Sequence, residues 1–152
     1  MAVHPTHAIS VCSGYGGIDL GLRLALGGRC RTILYCEREA YPASLLVGQM
    51  ENGLLDPAPV WSDLLTLPAG RIIGGLAVEP TDVMLHGGIP CQPWSAAGQR
   101  KGKDDPRWLW PAFWRVAQES QVGWIFLENV GRFVSGADSG LDLVLRDLSQ
   151  AG

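Results

Sequence analysis

Residues 8–26 read "AISVCSGYGGIDLGLRLAL". The run "AISVC" (8–12) suits a buried strand, and "GIDLGLRLAL" (17–26), with Leu20, Leu22, Leu24 and Leu26, suits a helix. Between them, Gly14, Gly16 and Gly17 let the backbone turn sharply and approach a ligand without a Cβ in the way. The helix start then presents free N–H groups and the positive end of its dipole. A strand, a glycine turn and a helix form the repeating unit of open α/β sheets. In such sheets ligands sit at the carboxyl ends of the strands.

The rest of the chain continues the alternation. "TILYC" (32–36) predicts a second strand and residues 40–50 a second helix. "PVW" (59–61) is a weak third strand, "DVMLH" (82–86) a fourth and "WIFLE" (124–128) a fifth. Residues 107–120 suit a helix if Pro111 lies in its first turn. Residues 141–150 suit a last helix, with Asp138 or Ser139 as its cap. The stretch 51–80 is rich in Pro and Gly and reads as irregular. The expected fold class is α/β, a mostly parallel sheet flanked by helices.

With 152 residues the chain is long enough for one domain with a real core. Apolar residues at 47% and charged residues at 18% exclude a disordered chain. A net charge of −3 excludes a globally basic nucleic-acid binder, so any DNA contact must come from a local patch. The opening "MAVHPTHAIS" lacks a signal-peptide pattern, and no apolar run reaches membrane-span length. The expectation is a cytoplasmic protein with reduced thiols and no membrane partner. Cys12, Cys30, Cys36 and Cys91 form no C-x-x-C pair, and with His4, His7 and His86 they complete no zinc spacing, so no metal is expected. Cys12 and Cys36 are expected in the core.

Every unusual residue falls just after a strand. About twenty residues beyond the glycine turn the second strand ends in Glu37, the usual place for an acid on ribose hydroxyls. The glycines run G-x-G-G, with Gly21 later, which is not the dinucleotide pattern. Alone, such a turn is explained by tight local structure; with Glu37 it favours an adenosine-type cofactor. Asp63, after the weak third strand, either accepts a hydrogen bond from an adenine amino group or caps the helix ahead of "LLTL", and the two readings stand level.

In "GGIPCQPWSAAGQRKGKDD" (87–105) Cys91 lies between Pro90 and Pro93, in a stretch stiffened by both rings. Glu128 closes the fifth strand after "WIFL" and is expected to be partly buried, which raises a carboxyl pKa and favours a proton-donating form. Taken singly, these are a small loop hydrophobe and a strand-end acid. Taken together at one sheet edge, they point to covalent catalysis on an electron-poor ring. Trp110, Trp114 and Trp124 read as core residues, and Trp94 as support for the thiol loop.

These motifs carry a resemblance to the N-terminal part of the catalytic domain of cytosine-5 DNA methyltransferases. "CSGYGGIDLGL" resembles the family's S-adenosylmethionine loop, "YCERE" its ribose-binding strand end and "WSDLLTL" its adenine segment. "GGIPCQPWSAAGQRKGKDDPR" resembles the nucleophile motif with its mobile loop, and "WIFLENV" the Glu-Asn-Val motif. The resemblance implies a Rossmann-like S-adenosylmethionine-dependent methyltransferase fold. It implies methyl transfer to C5 of a flipped cytosine in double-stranded DNA, through a covalent Cys91 adduct at C6, with Glu128 on the N3 edge. Asn129 would then hold the Pro90 and Cys91 loop. Cofactor contacts are implied for Cys12, Ser13, Gly14, Tyr15, Gly16 and Gly17. Glu37 and Arg38, Asp63 and Leu64, and Pro90 and Leu109 complete that set. Nucleic-acid contacts are implied for Gln92 and Ser95. The basic run Arg100, Lys101, Lys103 and Arg107 supplies candidate phosphate contacts, or else a solvated loop balanced by Asp104 and Asp105. Gly98 and Gly102 would be hinges for that loop.

Two departures stand out. Cys12 replaces the family's usual Phe. The family also continues with an Arg-containing motif, a target-recognition region and a late helix, none of which follows within the 152 residues. Residues 1–152 therefore read as the cofactor-binding and catalytic subdomain, C-terminally incomplete, of a modification-type methyltransferase. Alternative readings are a non-catalytic S-adenosylmethionine-binding fragment, one half of a split enzyme with a complementing C-terminal chain, or a tRNA cytosine-5 methyltransferase.

Overall fold

The computed structural model describes residues 4–90, 108–134 and 139–150. Its elements run β1 (His7–Val11), α1 (Gly17–Ala25), β2 (Arg31–Cys36), α2 (Ala40–Glu51), β3 (Val60–Trp61), α3 (Ala69–Gly74), β4 (Val83–Gly88), α4 (Trp110–Ser120), β5 (Trp124–Glu128) and α5 (Gly140–Gln150). Short 3-10 turns cover Leu64–Thr66, Pro80–Asp82 and Gly131–Val134. The chain divides into two compact units, residues 1–88 with 112–127, and residues 89–111 with 128–152.

The first unit carries the sheet, in the order β3-β2-β1-β4-β5. β1 pairs in parallel with β2 on one side and β4 on the other, and β2 pairs in parallel with β3. Chain order and spatial order differ, as crossovers through helices require. Central β1 is apolar and almost wholly buried, with Ile9 and Val11 at 0% exposure, as expected for a strand covered on both faces. Tyr35, Leu46 and Leu55 form a buried cluster against which Leu20 and Met50 pack. The α/β parallel-sheet expectation and all five strands hold.

Three local expectations are corrected. A helix, α3, lies inside the stretch read as irregular; Ala69 and Ile73 face the core, so packing outweighs the weak propensity of a six-residue segment with two glycines. Trp124 is exposed rather than core: among the described residues β5 stands last in the strand order, and its exposures alternate, leaving the face of Trp124, Phe126 and Glu128 outward. Cys12 is only half-buried: β1 stops at Val11 because Cys12 turns the chain at φ 50°.

In the second unit, α5 opens on a reciprocal cap. Ser139 Oγ accepts from the Asp142 N–H and Asp142 Oδ2 accepts from the Ser139 N–H, both at 3.2 Å. The alternative cap, Asp138, lies outside the described residues. The Trp110 indole N–H donates to Asp147 Oδ2 at 2.7 Å, joining the first residue of α4 to α5.

Candidate cofactor and catalytic site

In the first unit the loop after β1 is stitched to the end of β2. Ser13 Oγ lies 3.1 Å from the Ser10 carbonyl and 3.3 Å from that of Cys36, and it accepts from the Cys36 N–H at 3.3 Å. Glu37 makes the second stitch. Its Oε2 accepts from the Gly14 N–H at 2.7 Å and its Oε1 from the Glu39 N–H at 2.8 Å. These are short, charge-assisted bonds that fix the carboxylate. Each carboxylate oxygen keeps a second lone pair.

The loop glycines divide by role. Gly14 has φ 54° and open space where a Cβ would stand. At Gly16 a Cβ would meet Leu55 Cδ1 at 2.5 Å, so that glycine serves the core. Tyr15 is exposed, with its carbonyl held by Gln49 Nε2 at 2.8 Å. Gly16, at the N-cap of α1, offers no side chain to cap it. Arg38 is exposed beside Glu37, and Leu64 is buried.

Asp63 does cap the 3-10 turn: its Oδ1 accepts from the Leu65 N–H at 2.9 Å. Among the described residues its Oδ2 has no partner, so capping and ligand binding are compatible. Burial, then the Glu37 charge, pushes the Cys12 thiol up to about 11. Burial, then Cys12, Asp63 and Glu37, pushes the Cys36 thiol up to about 12. Both are neutral thiols at pH 7, and neither is a nucleophile. The same influences place Cys12, Glu37 and Asp63 around the carboxyl end of β2. This donor set fits a nucleoside: a fixed carboxylate with spare lone pairs for a vicinal diol, a free oxygen for an amino group, and an open glycine between.

In the second unit, Asn129 Nδ2 donates to the Ile89 carbonyl at 3.1 Å, and Asn129 Oδ1 accepts from the Val130 N–H at 2.9 Å. Both ends of the amide are engaged, and one ties the segment after β5 to the residue before Pro90. Pro90 and Leu109 are half-buried. Glu128 is exposed, not partly buried as expected, because it ends the outward face of the edge strand. Cys91, Gln92, Ser95, Arg100, Lys101, Lys103 and Arg107 lie outside the described residues, as does Trp94.

Residues 77–152 match the family described as C-5 cytosine-specific DNA methylase. The chain belongs to this family. Among curated relatives, Type II methyltransferase M.NgoMIV of Neisseria gonorrhoeae is 32% identical over 123 residues, 81% of this chain and 35% of that protein. Type II methyltransferase M.AquIA of Picosynechococcus sp. is 30% identical over 145 residues, 93% of this chain and 56% of that protein. Type II methyltransferase M.HgiBI of Herpetosiphon aurantiacus is 32% identical over 126 residues, 80% of this chain and 25% of that protein. The chain thus spans about a quarter to a half of the length of these relatives.

Sequence reasoning missed one feature of this methylase-family chain. Asp19, in the first turn of α1, is 4% exposed and gathers three strands. Its Oδ2 accepts from Ser10 Oγ and its Oδ1 from Thr32 Oγ1, both at 2.9 Å, and His86 Nε2 lies 3.3 Å from Oδ1. The signal was an acid on the apolar stripe of "GIDLGL" and a histidine ending "DVMLH".

Glu37→Ala is expected to weaken adenosine-cofactor binding more than Asp63→Ala does. Glu37 has two spare lone pairs for two hydroxyls, each charge-assisted bond worth about 1.5–3 kcal/mol, and it also holds Gly14 in place. Asp63 has one free oxygen. Calorimetric titration of both variants with S-adenosylhomocysteine decides the order, and equal or reversed losses count against it.

Proposed function

We propose that the chain is the cofactor-binding and catalytic part of a DNA cytosine-5 methyltransferase of the modification type. The observation that carries this reading is the family match over residues 77–152, which spans both the Pro-Cys-Gln and Glu-Asn-Val segments. The cofactor is S-adenosylmethionine, which supplies an electrophilic methyl group for C5 of the base. Glu37 holds the ribose hydroxyls and Asp63 Oδ2 the adenine amino group, with the open Gly14 turn between them. Cys12, Ser13, Tyr15, Gly16, Gly17, Arg38 and Leu64 complete the cofactor-binding set of the first unit.

DNA enters with its target cytosine flipped out of the stack, because C6 cannot be reached within the duplex. The Cys91 thiolate adds to C6, and electron density moves to C5, which takes the methyl group. Glu128 hydrogen-bonds the N3 edge of the ring and stabilises the adduct. The C5 proton then leaves to a base, and the thiolate is expelled, restoring the aromatic ring. Asn129 fixes the backbone that leads into Pro90 and Cys91 through its bond to Ile89. Gln92 and Ser95 approach the base or its neighbours, and Arg100, Lys101, Lys103 and Arg107 contact phosphates. Its work lies in the cytoplasm, beside the DNA.

Given the share of the relatives' length that the chain spans, turnover is expected to draw on polypeptide beyond these residues, in the same chain or a complementing one. Holding a flipped base offsets an unpairing cost of a few kcal/mol, which one short basic loop cannot supply alone. The test is transfer of a tritiated methyl group to cytosine-containing duplex DNA, with and without a candidate complementing chain, and with tRNA in parallel. Label in 5-methylcytosine of DNA supports the reading. Label in tRNA alone replaces the substrate, and no label in any combination sinks the enzymatic reading.

A further inference from the structure

α4 carries an arginine whose main-chain partners are all far behind it in sequence. Arg115 Nη2 donates to the Leu64 carbonyl at 2.8 Å, and Nη1 donates to the Leu67 carbonyl at 3.0 Å. A longer contact, 3.4 Å, runs from Nη2 to the Leu65 carbonyl. Glu119, one turn on along α4, holds Nη1 through both carboxylate oxygens at 2.9 Å. The guanidinium is thus oriented by one residue of its own helix and spent on the main chain of the 3-10 turn.

That turn is the one Asp63 caps. A three-residue 3-10 turn has too few internal hydrogen bonds to persist alone, and its terminal carbonyls need outside donors. Asp63 Oδ1 satisfies the Leu65 N–H at the front, and Arg115 satisfies the carbonyls at the back. The Trp61 indole N–H donates to Thr66 Oγ1 at 3.1 Å, and Thr66 Oγ1 donates to the Asp63 carbonyl at 3.1 Å, closing the segment on itself. A planar fork with five donors can bridge several carbonyls at once, which an ammonium cannot.

We propose that Arg115 is a positioning residue for cofactor recognition: by clamping Leu64–Thr66 it fixes Asp63 so that Oδ2 stays available to an adenine amino group. The inference rests on the reading of Asp63 as an adenine contact. It assigns to α4 a role in selecting the base of the cofactor.

The test compares S-adenosylhomocysteine with its hypoxanthine counterpart, which carries a carbonyl in place of the amino group, by calorimetric titration of the 152-residue chain. The wild type is expected to prefer the adenine form by about 10- to 100-fold, as one charge-assisted hydrogen bond allows. Arg115→Met is expected to reduce that preference to within about threefold, the scale at which no specific bond remains. Arg115→Lys should restore only part of it. The double variant Asp63→Ala with Arg115→Met should discriminate no worse than Asp63→Ala alone, as coupled residues do. If Arg115→Met does not fold, Glu119→Gln loosens the same guanidinium and takes its place. Equal weakening of both ligands with the preference intact overturns the inference and leaves the adenine contact standing. A wild type without preference, or one whose preference survives Asp63→Ala, overturns the underlying reading as well.

Discussion

Cys91→Ser is expected to abolish methyl transfer, by on the order of 10⁴–10⁶-fold, the scale on which removing a catalytic nucleophile acts. A serine hydroxyl has almost no alkoxide at neutral pH, whereas a thiol is a few per cent thiolate and intrinsically far more nucleophilic. No other described thiol can substitute. Cys12 and Cys36 are pushed up to about 11 and 12 by burial first and by neighbouring Glu37 among other groups. Burial and then the Asp56 and Asp19 charges push Cys30 to about 11 as well. Cofactor binding should survive, since Glu37 and Asp63 hold their geometry within the first unit. The measurement pairs methyl transfer in the assembled enzyme with trapping on duplex DNA bearing 5-fluorocytosine. Fluorine cannot leave as a proton does, so the adduct at C6 persists and peptide mapping should find it on Cys91 alone. Activity retained in the serine variant, or an adduct on another cysteine, would falsify the nucleophile assignment.

The sequence made the sheet legible because its strands are short apolar runs closed by turn residues, the pattern that burial on both faces imposes. "AISVC" was read one residue too long, since nothing in the letters reveals that Cys12 adopts φ 50°. α3 stayed hidden because six residues with two glycines carry no periodic signal; only the packing of Ala69 and Ile73 forms it. Glu128 and Trp124 were misplaced for one reason: "WIFLE" is apolar enough for a central strand, but strand order makes it an edge. The glycine turn and Glu37 were readable as a cofactor-type pair because both obey local chemistry at strand ends. The bond from Glu37 to Gly14 was not, because it joins residues 23 apart through a loop. Arg115 was invisible for the same reason: its main-chain acceptors lie 48 to 51 residues back.

Asp19→Ala is expected to destabilise the first unit by about 3–5 kcal/mol, since it leaves several buried polar partners without their shared acceptor, at about 1–3 kcal/mol for each group left unsatisfied. Domains of this kind have only about 5–15 kcal/mol in total. The truncation would strip Ser10 Oγ and Thr32 Oγ1 of their acceptor and leave His86, at 0% exposure, without its facing carboxylate. His86 can ill spare it. Among the described residues neither of its ring nitrogens makes an aligned hydrogen bond, and Asp19 Oδ1, 3.3 Å from Nε2, is the acid that faces it. Register explains the convergence, since Ser10 sits opposite His86 across β1 and β4. Asp19 then pins the first turn of α1, and with it the glycine loop, onto three strands. Burial pushes the Asp19 carboxyl up, but the close approach of His86, with the hydrogen bonds from Ser10 and Thr32, outweighs it and holds the carboxyl below its ordinary value. A depressed folded-state pKa stabilises the fold above the unfolded value of about 3.9, and that share is lost as pH falls through the folded value. Asp19→Asn keeps the shape but not the charge, so it should lose about 1.5–3 kcal/mol at pH 7. It should also show a shallower fall of stability below pH 4 than the wild type. Urea unfolding followed by tryptophan fluorescence at pH 7 and across the acid range reads both effects. An Asp19→Ala chain within about 1 kcal/mol of wild type, the spread of ordinary substitutions, would show that the cluster is tolerated rather than relied upon.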